Sequence, residues 1–108
     1  MLIGKLYKVR NYFWLLFSSL DIAKIGWSVQ ATYESYKTHA RMESELWSKK
    51  LKCNVLFIEP STTFMLLEND ANPYLKKILT GDGLVGWIVL DEYLVKDNVK
   101  CFEELKAG

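Results

Sequence analysis

Residues 74–94 read YLKKILTGDGLVGWIVLDEYL, and the fold class turns on them. Gly81-Asp82-Gly83 is a hairpin turn, because glycine supplies the positive φ that a tight reversal needs. It splits the stretch into two strands, residues 74–80 and 84–90, both free of proline and rich in Ile, Leu and Val. Gly86 stands directly before Trp87. A glycine inside a strand marks a bend or a close backbone approach, and here the reading is a backbone passing under a large indole. Asp91-Glu92-Tyr93-Leu94 is predicted to make one helical turn that drops Leu94 into the mouth of a barrel.

Working outward, the same short-strand grammar continues on both sides. Residues 54–58 form a strand, and Glu59-Pro60-Ser61-Thr62 turn it, since proline fixes φ and Ser and Thr satisfy local backbone groups. Residues 63–68 are the next strand, closed by the breaker cluster Asn69-Asp70-Ala71-Asn72-Pro73. A last β segment covers residues 99–105. Near the start, residues 3–10 read as an irregular strand, with Leu6 and Val9 apolar, Lys5, Lys8 and Arg10 polar, and Tyr7 breaking the alternation. Residues 12–17 are a second, more buried strand. No internal repeat is visible.

Residues 20–51 differ in character. Ile22, Ile25, Val29, Tyr33, Tyr36, Ala40, Trp47 and Leu51 fall near one face at helical spacing, with Glu43 and Ser44 interrupting the stripe and Leu46 supporting it. Ser18-x-x-Asp21 resembles a capping box at the start, and Glu45 with Lys49 is an i,i+4 pair in the stronger, later half. Residues 22–36 are open to either period, because Trp27, Val29, Ala31 and Tyr33 also alternate with Ser28, Gln30 and Thr32; helix is favoured. Gly26 weakens a continuous helix by about 1 kcal/mol relative to alanine.

The run Phe64-Met65-Leu66-Leu67-Glu68-Asn69-Asp70, continued through residues 74–94, resembles the bacterial Src-homology-3-like domain. That family runs as a turn, a strand ending in Leu-Glu, a loop, a strand of the aromatic-x-Lys-Val type, a glycine hairpin, Gly-Trp-Val, and a turn ending in Tyr-Leu. Glu59-Pro60-Ser61-Thr62 stands where the family often has a turn with Gly-Thr. The likeness spans about residues 54–94. It implies a mainly β (α+β) fold: a small Src-homology-3-like β-barrel of five or six short strands, a single domain over residues 1–108, with a helical insertion at about residues 20–51. The family's short loop is replaced here by that insertion. Eukaryotic relatives use acidic residues of the loop to hold proline-rich ligands; the segment here is basic, so that ligand is not carried over. The whole chain is also similar to small proteins of tailed phages of marine cyanobacteria, a likeness that implies no function.

Composition bounds the partners. The 108 residues are half apolar, 25% charged and 14% aromatic, which suits one core. The net charge is +1, yet residues 1–52 carry nine Lys/Arg against four Asp/Glu, and residues 53–108 carry five against nine. Either the two halves pack and neutralise each other, or one face is basic. Residues 12–17 are far short of the ~20 apolar residues a membrane-crossing helix needs. Lys5, Lys8 and Arg10 precede that run, but no small-x-small cleavage site follows it, and the expected location is the cytoplasm. Cys53 and Cys101 are far apart and read as buried thiols rather than a disulfide.

Catalytic and cofactor chemistry finds little footing. His39 is the sole histidine, and a Cys53–His39 dyad is open by spacing alone, though a lone His on a polar helix face is usually a surface residue. One His and two distant Cys fall short of a closed zinc site, and no calcium-loop spacing occurs. Gly81-Asp82-Gly83 through Gly86 mimics a dinucleotide fingerprint but sits in a hairpin instead of before a helix. The expectation is a non-enzyme without metal or cofactor.

Binding is the remaining class. Tyr7, Tyr12, Trp14, Trp87 and Tyr93 come from neighbouring strands of such a barrel; either they fill the core, or several share one concave, aromatic groove for a peptide or glycan. Lys5, Lys8 and Arg10, interleaved with Tyr7 and Tyr12, could instead serve single-stranded nucleic acid, with rings stacking on bases and cations tracking phosphates. The preferred expectation is an interaction module for a protein or peptide partner, the alternative a small-barrel single-stranded nucleic-acid-binding protein. A dipolar, aromatic-rich small domain can also pair with itself.

Overall fold

A computed structural model describes residues 1–10, 13–28, 40–90 and 101–105. The order of elements is β1 (Leu6–Val9), β2 (Trp14–Leu16), α1 (Leu20–Ser28), α2 (Ala40–Leu51), β3 (Leu56–Ile58), β4 (Thr63–Asn69), β5 (Leu75–Thr80), β6 (Val85–Val89) and β7 (Phe102–Leu105). The chain is mainly β, with seven strands among the described residues where five or six were expected. The inserted segment is helical at both its ends; residues 29–39, and with them most of the ambiguous stretch, lie outside the described residues, as do residues 91–94.

Five strands form one antiparallel sheet in the order β6-β5-β4-β1-β7. The β5–β6 hairpin closes as expected, but only Gly83 supplies a positive φ; Gly81 instead leaves room for the Thr63 hydroxyl, 2.7 Å from where a Cβ would stand. Gly83 has φ +92°, its N–H bonds the Thr80 carbonyl at 3.0 Å, and the Thr80 hydroxyl takes the Leu84 N–H at 2.9 Å. The Glu59-Pro60-Ser61-Thr62 turn has Ser61 at φ +75° and the Thr62 N–H on the Glu59 carbonyl at 3.1 Å, the geometry of a type II turn with proline at its first corner. On β4, Phe64 and Leu66 point inward, and the register with β5 shifts between Leu66 and Glu68. That bulge accommodates Leu67 and twists the sheet. On β1 the inward residues are Tyr7 and Val9. Leu6, expected among the apolar positions of that strand, is the residue out of pattern, at 41% exposed.

β2 and β3 form a second, two-stranded sheet. It meets β6 at one point: Phe17 and Trp87 exchange both backbone hydrogen bonds, at 2.9 and 2.8 Å. Here lies the reason for Gly86. A Cβ at that position would stand 2.7 Å from Leu16 Cγ and 2.8 Å from the Phe17 carbonyl oxygen. The close approach expected at Gly86 is present, and its partners are the Leu16 side chain and the Phe17 carbonyl.

β2 is buried on both faces because α1 packs on β6 and β5 while α2 packs on β3 and β2. The helix cap falls one residue later than expected: Ser19, not Ser18, accepts the Ile22 N–H on its hydroxyl at 3.3 Å. α2 ends in a left-handed turn at Lys52 (φ +53°), with the Cys53 N–H on the Ser48 carbonyl at 3.2 Å, a Schellman-type stop. The core is continuous through Tyr7, Trp14, Phe17, Phe64, Ile78, Ile88 and Phe102.

Candidate functional site

Three of the five aromatic residues singled out in the sequence occupy the core. Tyr7, Trp14 and Trp87 are only 4%, 0% and 6% exposed. Tyr7 stacks on Phe64 with ring centroids 5.7 Å apart, and its hydroxyl takes the Leu2 N–H at 2.6 Å. Trp14 lies against Phe102 at 5.1 Å. These three rings offer no open face: Tyr7 takes an inward position of an alternating strand, and Trp14 and Trp87 lie on strands buried along nearly their whole length. Tyr12 and Tyr93 lie outside the described residues.

The basic residues lie at or near the surface but not alone. Lys5 and Arg10 are exposed and Lys8 is half-buried. β7 runs beside them, placing Glu103 opposite Lys8 and Glu104 opposite Tyr7 in register. Tyr7, Arg10, Glu103 and Glu104 line one depression of about 380 Å³. The acidic half of the chain is thus brought against the basic strand, and a phosphate backbone laid here would meet two carboxylates.

Of the remaining chemistry, Cys53 is half-buried and Cys101 buried, both as thiols. His39 lies outside the described residues. Among the described residues no group of three or more His, Cys, Asp or Glu is placed to hold a metal ion, and no helix is long and apolar enough to cross a membrane.

A different surface carries the most complete binding geometry. β3 is an edge strand, and the direction of its backbone groups follows from Phe17. Successive residues of a strand send their N–H and C=O to opposite edges. Phe17 sends both to β6, so Leu16 and Trp14 send theirs to β3, and their register partners Leu56 and Ile58 face β2. Val55, Phe57 and Glu59 therefore face outward.

Two of these three are occupied. The buried Ser44 hydroxyl of α2 donates to the Val55 carbonyl; Ser48, one turn later, accepts the Val55 N–H at 2.9 Å and donates to the Ser44 carbonyl at 2.7 Å. The Glu59 carbonyl is held by Thr62 in the turn. Between them Phe57 presents an N–H and a C=O with no partner among the described residues.

That open position lies in a groove. One depression of about 470 Å³, mostly apolar, is lined by Glu45, Ser48, Lys49, Asn54, Val55, Leu56, Phe57 and Leu84, with Ser44 beside Ser48. A second, of about 260 Å³, shares Phe57 and Leu84 and runs on to Glu59, Thr62 and Asp82. The groove carries Lys49 together with Glu45 in the first depression and is acidic at Glu59 and Asp82 in the second. Glu45 and Lys49, expected to pair, make no ion pair; among the described residues the sole one joins Lys77 and Glu68 at 4.0 Å. Sequence reasoning missed this site because Ser44 reads as a gap in the helix stripe. The available signal was a pair of serines four residues apart on the face that should be apolar.

Comparison with known proteins finds no match: no family model, curated protein or solved structure is significantly similar to the chain.

Proposed function

We propose that this chain is a non-enzymatic interaction module that binds an extended peptide segment of a partner protein, and that its strands form a partly open barrel of the Src-homology-3-like type. Three features support the barrel reading: the β4-β5-β6 meander, the placement of β1 between β4 and β7, and the Phe17–Trp87 bridge that brings β2 against the opposite edge of the five-stranded sheet. The peptide reading rests on one observation. The outward N–H and C=O of Phe57 lie in an apolar groove, which is the arrangement that strand addition uses: main-chain bonds supply affinity and side-chain pockets supply choice. The rival, a single-stranded nucleic-acid surface over Lys5, Lys8 and Arg10, is weakened by Glu103 and Glu104 beside them.

The test is selection from a random dodecapeptide library whose members carry free amino- and carboxy-termini, followed by amide chemical-shift mapping of the selected peptides on the labelled protein. The expected result is perturbation at residues 55–58 and at Lys49 and Leu84. An empty selection would overturn the peptide reading. Shifts at Lys5, Lys8 and Arg10 with single-stranded DNA, fading as salt rises, would replace it with the nucleic-acid one.

A further inference from the structure

The groove beside β3 is closed at one end. Ser44 and Ser48 occupy the outward side of Val55, where another strand would otherwise continue, so a chain that pairs with Phe57 has no room to run past it. The other end is open over Glu59 and Asp82. An extended chain fits a half-closed channel by ending in it. The residues lining that depression favour one terminus: Lys49 and Asn54 offer a cation and an amide donor to a carboxylate, against a single opposing charge at Glu45.

Resting on the reading that this groove binds peptides, we propose that it captures the free carboxy-terminus of a partner chain. The ligand runs antiparallel to β3. Its α-carboxylate meets Lys49 and Asn54, its last apolar side chain packs on Leu56, Phe57 and Leu84, and a Lys or Arg two or three residues earlier lies over Glu59 and Asp82. At about 3.3 Å per residue, the four steps from Val55 to Glu59 span roughly 13 Å, so the last four ligand residues are read. Glu45 stands one helical turn from Lys49 and opposes the ligand's carboxylate, which makes it a brake on affinity.

Two soluble hexapeptide pools, randomised at the last four positions, test this on the full chain. One pool ends in a free acid and the other in an amide. The expected result is retention from the acid pool alone, of peptides ending in an apolar residue with Lys or Arg third or fourth from the end. For one retained peptide, amidation should weaken binding at least ten-fold; Lys49→Gln should shrink that ratio to within two-fold; Glu45→Gln should tighten the acid. Equal retention of both pools, with the Phe57 amide shifting, overturns carboxylate capture and leaves peptide binding intact. Retention of neither pool overturns both.

Discussion

The ring of Phe17 is seated against Gly26 of α1: a Cβ on residue 26 would stand 2.8 Å from Phe17 Cζ and 3.0 Å from Cε1. Phe17 is fully buried and its backbone is fixed on β6 by two hydrogen bonds, so the ring has nowhere to retreat. The glycine that reads as a weak point of the helix is the notch that lets α1 lie flat on the β2–β6 junction.

Gly26→Ala should therefore destabilise, although alanine favours a helix by about 1 kcal/mol over glycine. Overpacking a well-filled core costs about 1–3 kcal/mol, and the clash is with a fully buried ring. Urea midpoints for Gly26→Ala in the native and Phe17→Leu backgrounds check it. In the smaller background the alanine should become neutral or stabilising, and a loss of equal size in both would show that the ring is not the cause.

The Ser44–Ser48–Val55 network makes a second, position-specific expectation. Ser48→Ala removes the acceptor of the Val55 N–H, and an unpaired buried amide costs about 1–3 kcal/mol. Ser44→Ala leaves that N–H in place and strips the carbonyl instead. Hydrogen exchange at the Val55 amide should accelerate strongly in Ser48→Ala, beyond any uniform loss of stability seen at Ile78 and Ile88. Equal acceleration throughout would mean that the bond gives Val55 no protection of its own.

What was legible in the sequence was what local chemistry dictates. The turns at Gly81-Asp82-Gly83 and Glu59-Pro60-Ser61-Thr62 carry their conformations in their residue types, so the strands they join could be placed to within two residues. Where a residue's role is set by a distant element, the reading failed. Leu6 and Tyr7 are both apolar enough to point inward, and only pairing with β4 and β7 decides that Tyr7 does. Ser44 looks like a break in an apolar stripe until the end of the loop before β3 comes to lie on it. Gly86 announces a close approach but not its partner. The open edge at Phe57 follows from the Phe17–Trp87 bridge, a contact across about seventy residues that no local pattern encodes.

Among the described residues, two non-glycine residues sit at positive φ, Lys52 at the end of α2 and Ser61 in the turn before β4. Each holds a left-handed conformation that a Cβ makes unfavourable by about 1–2 kcal/mol. Lys52→Gly and Ser61→Gly should each raise stability, by about 1 kcal/mol, because relief of that strain outweighs the added freedom of the unfolded chain. The positions lie beyond opposite ends of β3 and the gains should add. Thermal melts of the two single variants and the double check both statements; a glycine that destabilises would mean that the lysine or serine side chain contributes more than its backbone costs.

Lys76 and Lys77 are neighbours on β5 with different fates. Lys77 reaches Glu68, whereas burial disfavours the charged form of Lys76 and lowers its pKa from 10.5. The folded protein then releases this proton more readily than the unfolded chain, so between the folded-state pKa and 10.5 the unfolded chain binds more protons. Stability from this residue accordingly rises with pH through that window, and below it the cost of the buried charge is present in full. Lys76→Met should be more stable than the native chain at neutral pH, with the advantage shrinking as pH approaches 10.5. Val85→Met, at an exposed position of β6, serves as the control without a titrating group. Urea midpoints of the three proteins at pH 7, 9 and 10 decide it: curves for Lys76→Met and native chain that stay parallel across the range would show that the ammonium is as well solvated in the fold as outside it.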